Sequence, residues 1–305
     1  MTLNVNRLPG NFGAAIEDFD VRHIDDVGLR YMYSALYNHR FLVVRNQSLS
    51  HDDYVGFARR WGRPVELIAR HNVLEQHPEI IVQSNSAATP PFVRNVANHW
   101  HCDSSYEAEV ASVTMLYGIE APERDGVTLF ADLVAAYDAM PVTVQRRCDM
   151  LRVRHATAAA EMLPDEQISR PQDAPEDVRR TIVRLDPVTH PLVQVHPCGG
   201  RKAYYGLGGS AFAIEGLPPE EGGALILDLR RHATRPRFCA DYKLMPGDVL
   251  IWDNLSVMHR ATPIEYSDAP GHRRLNYRIS LKGLPPILEG EESVVHPIAE
   301  EAGHA

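Results

Sequence analysis

The 305 residues are 44% hydrophobic and 23% charged, the balance of a chain that buries a core. Lysine plus arginine number 31 against 40 aspartate plus glutamate, a net charge of −9, which argues against a nucleic-acid partner and against a polybasic membrane anchor. No apolar run reaches the roughly 20 residues of a membrane span, and Met1 to Arg7 lacks the basic-then-apolar order of a signal peptide. The expectation is a cytoplasmic protein that engages neither membrane nor nucleic acid. Cys102, Cys148, Cys198 and Cys239 lie far apart with no C-x-x-C pair, so they are expected to stay reduced rather than form a disulfide framework or a zinc knuckle.

From the N-terminus, Asp25-Asp26 ahead of Val27, Leu29, Met32 and Leu36 predicts a capped helix. Phe41 to Val44 reads as a buried strand. Ser50-His51-Asp52-Asp53 opens a second helix through Tyr54, Phe57 and Trp61, stopped by Gly62 and Pro64. Beyond Ile80 the texture changes to short apolar runs: Ile80–Val82, Val113–Tyr117, Val127–Phe130, Leu192–Val195, Ala203–Tyr205, Val249–Trp252 and Leu275–Ile279. Short strands separated by turn residues predict a sandwich or barrel. One further helix stands out, Pro219 to His232, with proline and acids at its start and bases at its end, as the helix dipole favours. Residues 163–191 carry Pro164, Pro171, Pro175, Pro187 and Pro191 and are expected to be an irregular lid or mobile loop. With no repeat and no linker, residues 1–305 are expected to form a single domain.

A 2-His-1-carboxylate metal site needs two ligands on one face, and positions i and i+2 of extended chain satisfy this. His-x-Asp occurs three times, where roughly one match is expected by chance from 15 histidines and 20 aspartates. His23-Ile24-Asp25 and His51-Asp52-Asp53 sit at helix starts, where capping explains the aspartate. His101-Cys102-Asp103 precedes a strand, where no helix needs a cap. Spacing alone leaves a hydrogen-bonded turn there as an equal alternative.

A downstream cluster changes that balance: Pro246-Gly247-Asp248 leads through a strand to Trp252-Asp253-Asn254, then His259, then Arg273-Arg274 and Arg278. With Trp100, His101-x-Asp103 and Ser104-Ser105-Tyr106 upstream and Thr128 in a strand between, this order resembles the TauD/TfdA family of iron(II)- and 2-oxoglutarate-dependent dioxygenases. The likeness runs from Phe12 to Leu281. Ala135 to Pro141 and Glu215 to Pro218 add a local flavour nearer the 2,4-dichlorophenoxyacetate dioxygenases than the taurine enzymes.

The resemblance implies a mainly β fold with flanking helices, a double-stranded β-helix or jelly roll of cupin type. It implies His101, Asp103 and His259 as catalytic iron ligands, with 2-oxoglutarate and O2 as cosubstrates. Arg274 would hold the distal carboxylate of 2-oxoglutarate, its planar fork matching two oxygens, and Thr128 would donate a hydroxyl hydrogen bond to it. Arg278, four residues on and on the same strand face, would hold a carboxylate or sulfonate of the substrate, and His71 is a candidate beside it. The implied reaction is hydroxylation of an unactivated C–H bond, with release of succinate and carbon dioxide. A homo-oligomer is left open.

Three departures from the family pattern stand in the chain. His259 to Arg274 is 15 residues with an inserted turn at Glu265 to Gly271, the turn before Thr128 reads Asp125-Gly126-Val127, and Ala97 stands where taurine-specific members carry asparagine. The last argues against taurine. Trp100 and Tyr106 are as readily packing residues as site residues. Two other readings share the triad: a cupin-type metal enzyme that does not use 2-oxoglutarate, against which Arg274 and Thr128 speak, and a non-catalytic small-acid binder, which would not need all three ligand positions filled.

Overall fold

A computed structural model describes residues 3–65, 72–90, 94, 97–157, 176 and 186–288. In chain order its elements are β1 (Val5–Arg7), β2 (Ala14–Ile16), α1 (Asp26–His39), β3 (Phe41–Val44), α2 (His51–Arg59), β4 (Arg63–Pro64), β5 (Val73–Leu74), β6 (His77–Ser84), β7 (Ala111–Glu120), β8 (Val127–Asp132), α3 (Leu133–Asp138) and α4 (Val142–Cys148). Then follow β9 (Arg152–His155), β10 (Val188–Pro191), β11 (Val193–Val195), β12 (Lys202–Tyr204), β13 (Ala211–Ile214), α5 (Pro219–Ala233), β14 (Cys239–Lys243), β15 (Val249–Asp253), β16 (Val257–Ala261) and β17 (Leu275–Lys282).

The side-chain period of two along these strands dictates the layers. On β17, Ile279 and Leu281 face one way and pack with Met115 of β7, Ile251 of β15, Leu29, Met32 and Leu36 of α1, and Tyr54 and Phe57 of α2. The two N-terminal helices therefore cover the outer face of a nine-stranded sheet ordered β1-β2-β3-β15-β7-β17-β6-β5, with β4 also paired to β17. The alternate residues point inward. Phe41, Leu116, Leu250 and Trp252 of this sheet meet Phe130, Ala240 and Val257 of a three-stranded antiparallel sheet, β14-β8-β16. Phe41 and Phe130 stack at 4.5 Å across the gap, and fully burying a side chain of that size contributes about 1.5–3 kcal/mol.

On its far side the small sheet presents Ala131 and Met258 to a third cluster with Ala136, Tyr204, Ile226 and Leu229. Two sheets face to face with helices outside is the expected jelly roll. Among the described residues no helix is long and apolar enough to cross a membrane.

Asp25 caps α1, accepting from Gly28 N at 2.7 Å. Ser50 and Asp53 form a reciprocal capping box on α2. Each such cap contributes about 1 kcal/mol, which accounts for the aspartates of the first two His-x-Asp matches. The expected lid needs a correction at its end. Residues 163–185, apart from 176, lie outside the described residues, but Val188–Pro191 form β10, paired with β9 from Val188 opposite His155 to Pro191 opposite Arg152. Proline suggested irregularity there, yet β10 is an edge strand of the β10-β9-β13 sheet, where a missing N–H is tolerated.

Candidate active site

His101 and His259 are brought together by backbone before any side chain acts. His101 N donates to His259 O at 3.0 Å and His259 N to His101 O at 2.9 Å, a single antiparallel bridge at the middle of β16. Directly opposed residues of such a pair project to the same face, and their rings stand 4.3 Å apart. Asp103, two residues along, joins them, while Cys102 between them turns away and donates its Sγ–H to Val257 O. Nε2 of each histidine lies 3.7 Å from Asp103 Oδ1. Ligand atoms from the three residues all lie within 4.8 Å of one another, the one such group among the described residues.

The protonation of this cluster fits a metal ion. Burial pushes both His101 and His259 down to about 4, so each imidazole is neutral at pH 7. His101 Nδ1 sits 2.8 Å from His99 O, and because a carbonyl only accepts, the ring proton is on Nδ1 and the Nε2 lone pair faces the carboxylate. Burial would raise Asp103, but the Arg278 guanidinium and the two histidines outweigh it and hold the carboxyl well below its ordinary value. The His101 lone pair and an ionised oxygen thus converge at 3.7 Å, too far for a hydrogen bond, with His259 Nε2 at the same distance from that oxygen. A cation relieves that repulsion. Two neutral imidazoles and one carboxylate on a single face are the donor set of non-haem iron(II).

Behind the ligands, a buried polar network fixes Asp103. Thr114 of β7 donates to Asp103 Oδ2 at 2.6 Å, and Ser280 of β17 lies 3.1 Å from Thr114 Oγ1. Asn254 Nδ2 donates to Thr114 Oγ1 at 2.9 Å, and Asn254 Oδ1 accepts from Trp252 Nε1 at 3.0 Å. The run Trp252-Asp253-Asn254 thereby acquires a physical reason. Trp252 packs against His259 with ring centroids 4.6 Å apart and planes tilted by 55°, Asn254 braces Asp103, and Asp253 pairs with the buried His196 at 3.2 Å. Reading the sequence missed Thr114, Ser280 and His196, which carry no motif of their own. Only the inward parity of Thr114 and Ser280 on apolar strands could have signalled them.

The three arginines separate cleanly. Arg273 is a half-exposed partner of Glu120 at 3.1 Å. Arg274 has its backbone N–H on Asn85 Oδ1 at 2.6 Å, and its Nε is buried with no partner among the described residues. Burial lowers its pKa below the ordinary arginine value. Arg278, on the inner face of β17, places Nη2 2.7 Å from Asp103 Oδ1, so it reaches the ligand cluster itself. Thr128 lies two residues before Phe130 on β8, on the same inward face, opposite Ala261 of β16. His71 lies outside the described residues. Trp100 packs in the third cluster and stacks under Arg260 at 5.4 Å, a packing role. For Tyr106, burial raises the phenol to about 12, followed by the neighbouring Glu107.

Comparison with known proteins agrees with this geometry. Residues 4–279 match the family model described as taurine catabolism dioxygenase TauD, TfdA family. The chain is 32% identical over 282 residues to an alpha-ketoglutarate-dependent 2,4-dichlorophenoxyacetate dioxygenase of Cupriavidus pinatubonensis, covering 88% of this chain and 94% of that protein. It is 29% identical to an (S)-phenoxypropionate/alpha-ketoglutarate-dioxygenase of Sphingobium herbicidovorans, over 91% of this chain and 94% of that one. Its fold superposes on the crystal structure of a putative alpha-ketoglutarate-dependent taurine dioxygenase from Burkholderia xenovorans with a TM-score of 0.74, at 27% identity, covering 92% and 93% of the two chains. A match across nine-tenths of the sequence, over a fold and a ligand cluster already of the right kind, means that the chain belongs to the TauD/TfdA family of dioxygenases.

Proposed function

We propose that this protein hydroxylates an unactivated C–H bond of a small carboxylate or sulfonate, consuming 2-oxoglutarate and O2 and releasing succinate and carbon dioxide. The observation that carries the reading is the cluster of His101 with the buried Asp103 and His259, and a cation, Arg278, on its carboxylate. In the proposal these three residues hold iron(II), which when bound supplies the redox chemistry that couples oxidative decarboxylation of 2-oxoglutarate to attack on the C–H bond.

The rest is binding and orientation by the chain. Neutral imidazoles and an ionised carboxylate stand ready at pH 7, so no proton has to leave for the metal to enter. Arg274, partly buried and with its Nε lacking a partner among the described residues, receives the distal carboxylate of 2-oxoglutarate, with the Thr128 hydroxyl donating from the facing sheet. Arg278 reaches the organic substrate through its remaining N–H groups while Nη2 stays near Asp103. The substrate's anion is thereby held beside the metal ligands, and its C–H bond is presented to the reacting centre rather than to solvent. That two named relatives act on 2,4-dichlorophenoxyacetate and (S)-phenoxypropionate, both carboxylates, supports an anionic substrate here.

The experiment is turnover of anaerobically loaded protein with iron(II), 2-oxoglutarate and ascorbate against a panel of aryloxyalkanoates, aliphatic carboxylates and sulfonates. Succinate should rise in step with one anion class. Oxygen consumption without 2-oxoglutarate loss would instead favour a cupin-type enzyme, and iron binding without either would favour a small-acid binder.

A further inference from the structure

Outside the ligand cluster, the loop Gly206 to Ser210, between β12 and β13, lies against both ends of the His-x-Asp segment. At Gly208, a Cβ would fall 2.4 Å from Trp100 O and 2.6 Å from the His101 Cα, a contact with rigid backbone that no larger residue can make. Gly209 N donates to Trp100 O at 3.0 Å. Five residues of loop therefore press on the backbone that aims the first ligand. At its far end Ser210 Oγ is 2.6 Å from Ser105 Oγ, two residues past Asp103.

The loop in turn rests on a histidine. His155 at the end of β9 is fully buried, and its Nδ1 lies 3.0 Å from Ser210 Oγ. Gly206 adopts φ +62° with no room for a Cβ, which would fall 2.3 Å from the His155 ring. From the neighbouring strand β10, His190 Nε2 donates to Glu107 O at 2.9 Å. The turn between Asp103 and Glu107 needs this support, because Ser104 holds φ +54°, a left-handed conformation costly for a non-glycine residue.

We propose that Gly206 to Ser210, seated on His155, is a clamp that positions His101 and Asp103 for metal, so that Gly208, Ser210 and His155 are positioning residues of this site. The inference rests on the reading that His101, Asp103 and His259 hold a metal ion. Residues that orient ligands from behind typically alter metal affinity 10–100-fold when changed.

The test is the dissociation constant for Mn(II), measured on the full chain by the electron paramagnetic resonance of free Mn(II), beside thermal unfolding. Gly208→Ala should bind Mn(II) at least tenfold more weakly than wild type, whereas Gly223→Ala, in α5 with open space around its Cα, should match wild type. Ser105→Ala and Ser210→Ala should each weaken binding several-fold, and the double variant should be no weaker than Ser210→Ala alone, which already removes the Ser105 contact together with that to His155. A folded Gly208→Ala protein with wild-type affinity overturns the clamp. If Gly208→Ala does not fold, the serine variants decide, and wild-type affinity in both overturns it equally. Failure of the wild-type chain itself to bind Mn(II) would instead sink the metal-site reading.

Discussion

Two buried arginine–aspartate neighbourhoods in this molecule are built differently. Arg40 and Asp132 form a closed unit: Asp132 Oδ1 accepts from Arg40 Nε at 3.1 Å and from the N–H groups of Val134 and Ala135 at 2.9 Å, capping α3. Among the described residues Asp103 Oδ1 accepts from Arg278 and faces two imidazole nitrogens at 3.7 Å, too far to share a proton, and Arg274, close by in sequence, has a buried Nε with no partner. A charge kept for structure is saturated by its own chain. A charge kept for binding is left short of partners, and that shortfall, more than the residue type, marks the site.

The sharpest break of this comparison is at the carboxylates. Asp103→Ala should abolish Mn(II) binding and turnover while the fold survives, since the remaining imidazoles are neutral and Arg278, left without its carboxylate, is 20% exposed and can reach water. Near wild-type activity in that variant would refute the ligand assignment.

Next come the arginines. Arg274→Met should raise the apparent KM for 2-oxoglutarate by about 30-fold to several thousand-fold, the loss of a poorly solvated charged hydrogen bond worth about 2–5 kcal/mol. Its melting temperature should not fall, because a partly buried guanidinium whose Nε has no partner among the described residues is replaced by an apolar chain of similar length. Arg40→Met should do the reverse, costing about 3–5 kcal/mol in urea unfolding by orphaning Asp132, with the KM for 2-oxoglutarate unchanged. Matching outcomes for the two variants would erase the distinction. Arg278→Gln should weaken the organic substrate and leave succinate formed in excess of hydroxylated product. An effect confined to 2-oxoglutarate would move Arg278 to the cosubstrate.

A smaller effect comes from acid. Burial pushes His99 and His155 down to about 3, so the unfolded chain takes up protons below about pH 6.5 that the folded chain refuses. Each histidine then removes about 1.4 kcal/mol of stability per pH unit between those limits and nothing above them. Urea unfolding at pH 7, 6 and 5 should show a shallower decline in His155→Gln than in wild type. Smallest of all, His23→Ala should change neither activity nor metal binding, its side chain being mostly exposed beside Asp20.

Local signals carried the helices and the long strands well, because each had a physical marker: Asp25 and Ser50 at caps, Pro219 at a helix start, a short apolar run at Leu275–Ile279. The candidate cluster was legible because His101-x-Asp103 stood where no cap explained it and because the downstream run through Trp252-Asp253-Asn254 to His259 resembled a known family. What stayed hidden depends on register across distant strands. Nothing in the sequence says that Thr114 and Ser280 are opposed on β7 and β17, that Asp253 meets His196, or that the loop after β12 lies on His101. Short elements such as α3 and α4 were missed for a related reason: six or seven residues show too little of a helical period to be told from a turn.

The backbone bridge between His101 and His259 has a consequence for how the molecule assembles. Its two halves lie far apart in the sequence, so the cluster cannot form until β16 has docked on β8 and the chain between has closed a long loop, which is entropically costly and slow. Early folding species with only α1, α2 and their strands have no place for the ion. Metal uptake during refolding is therefore a reporter of the final closure, and its time course should lag behind the appearance of secondary structure.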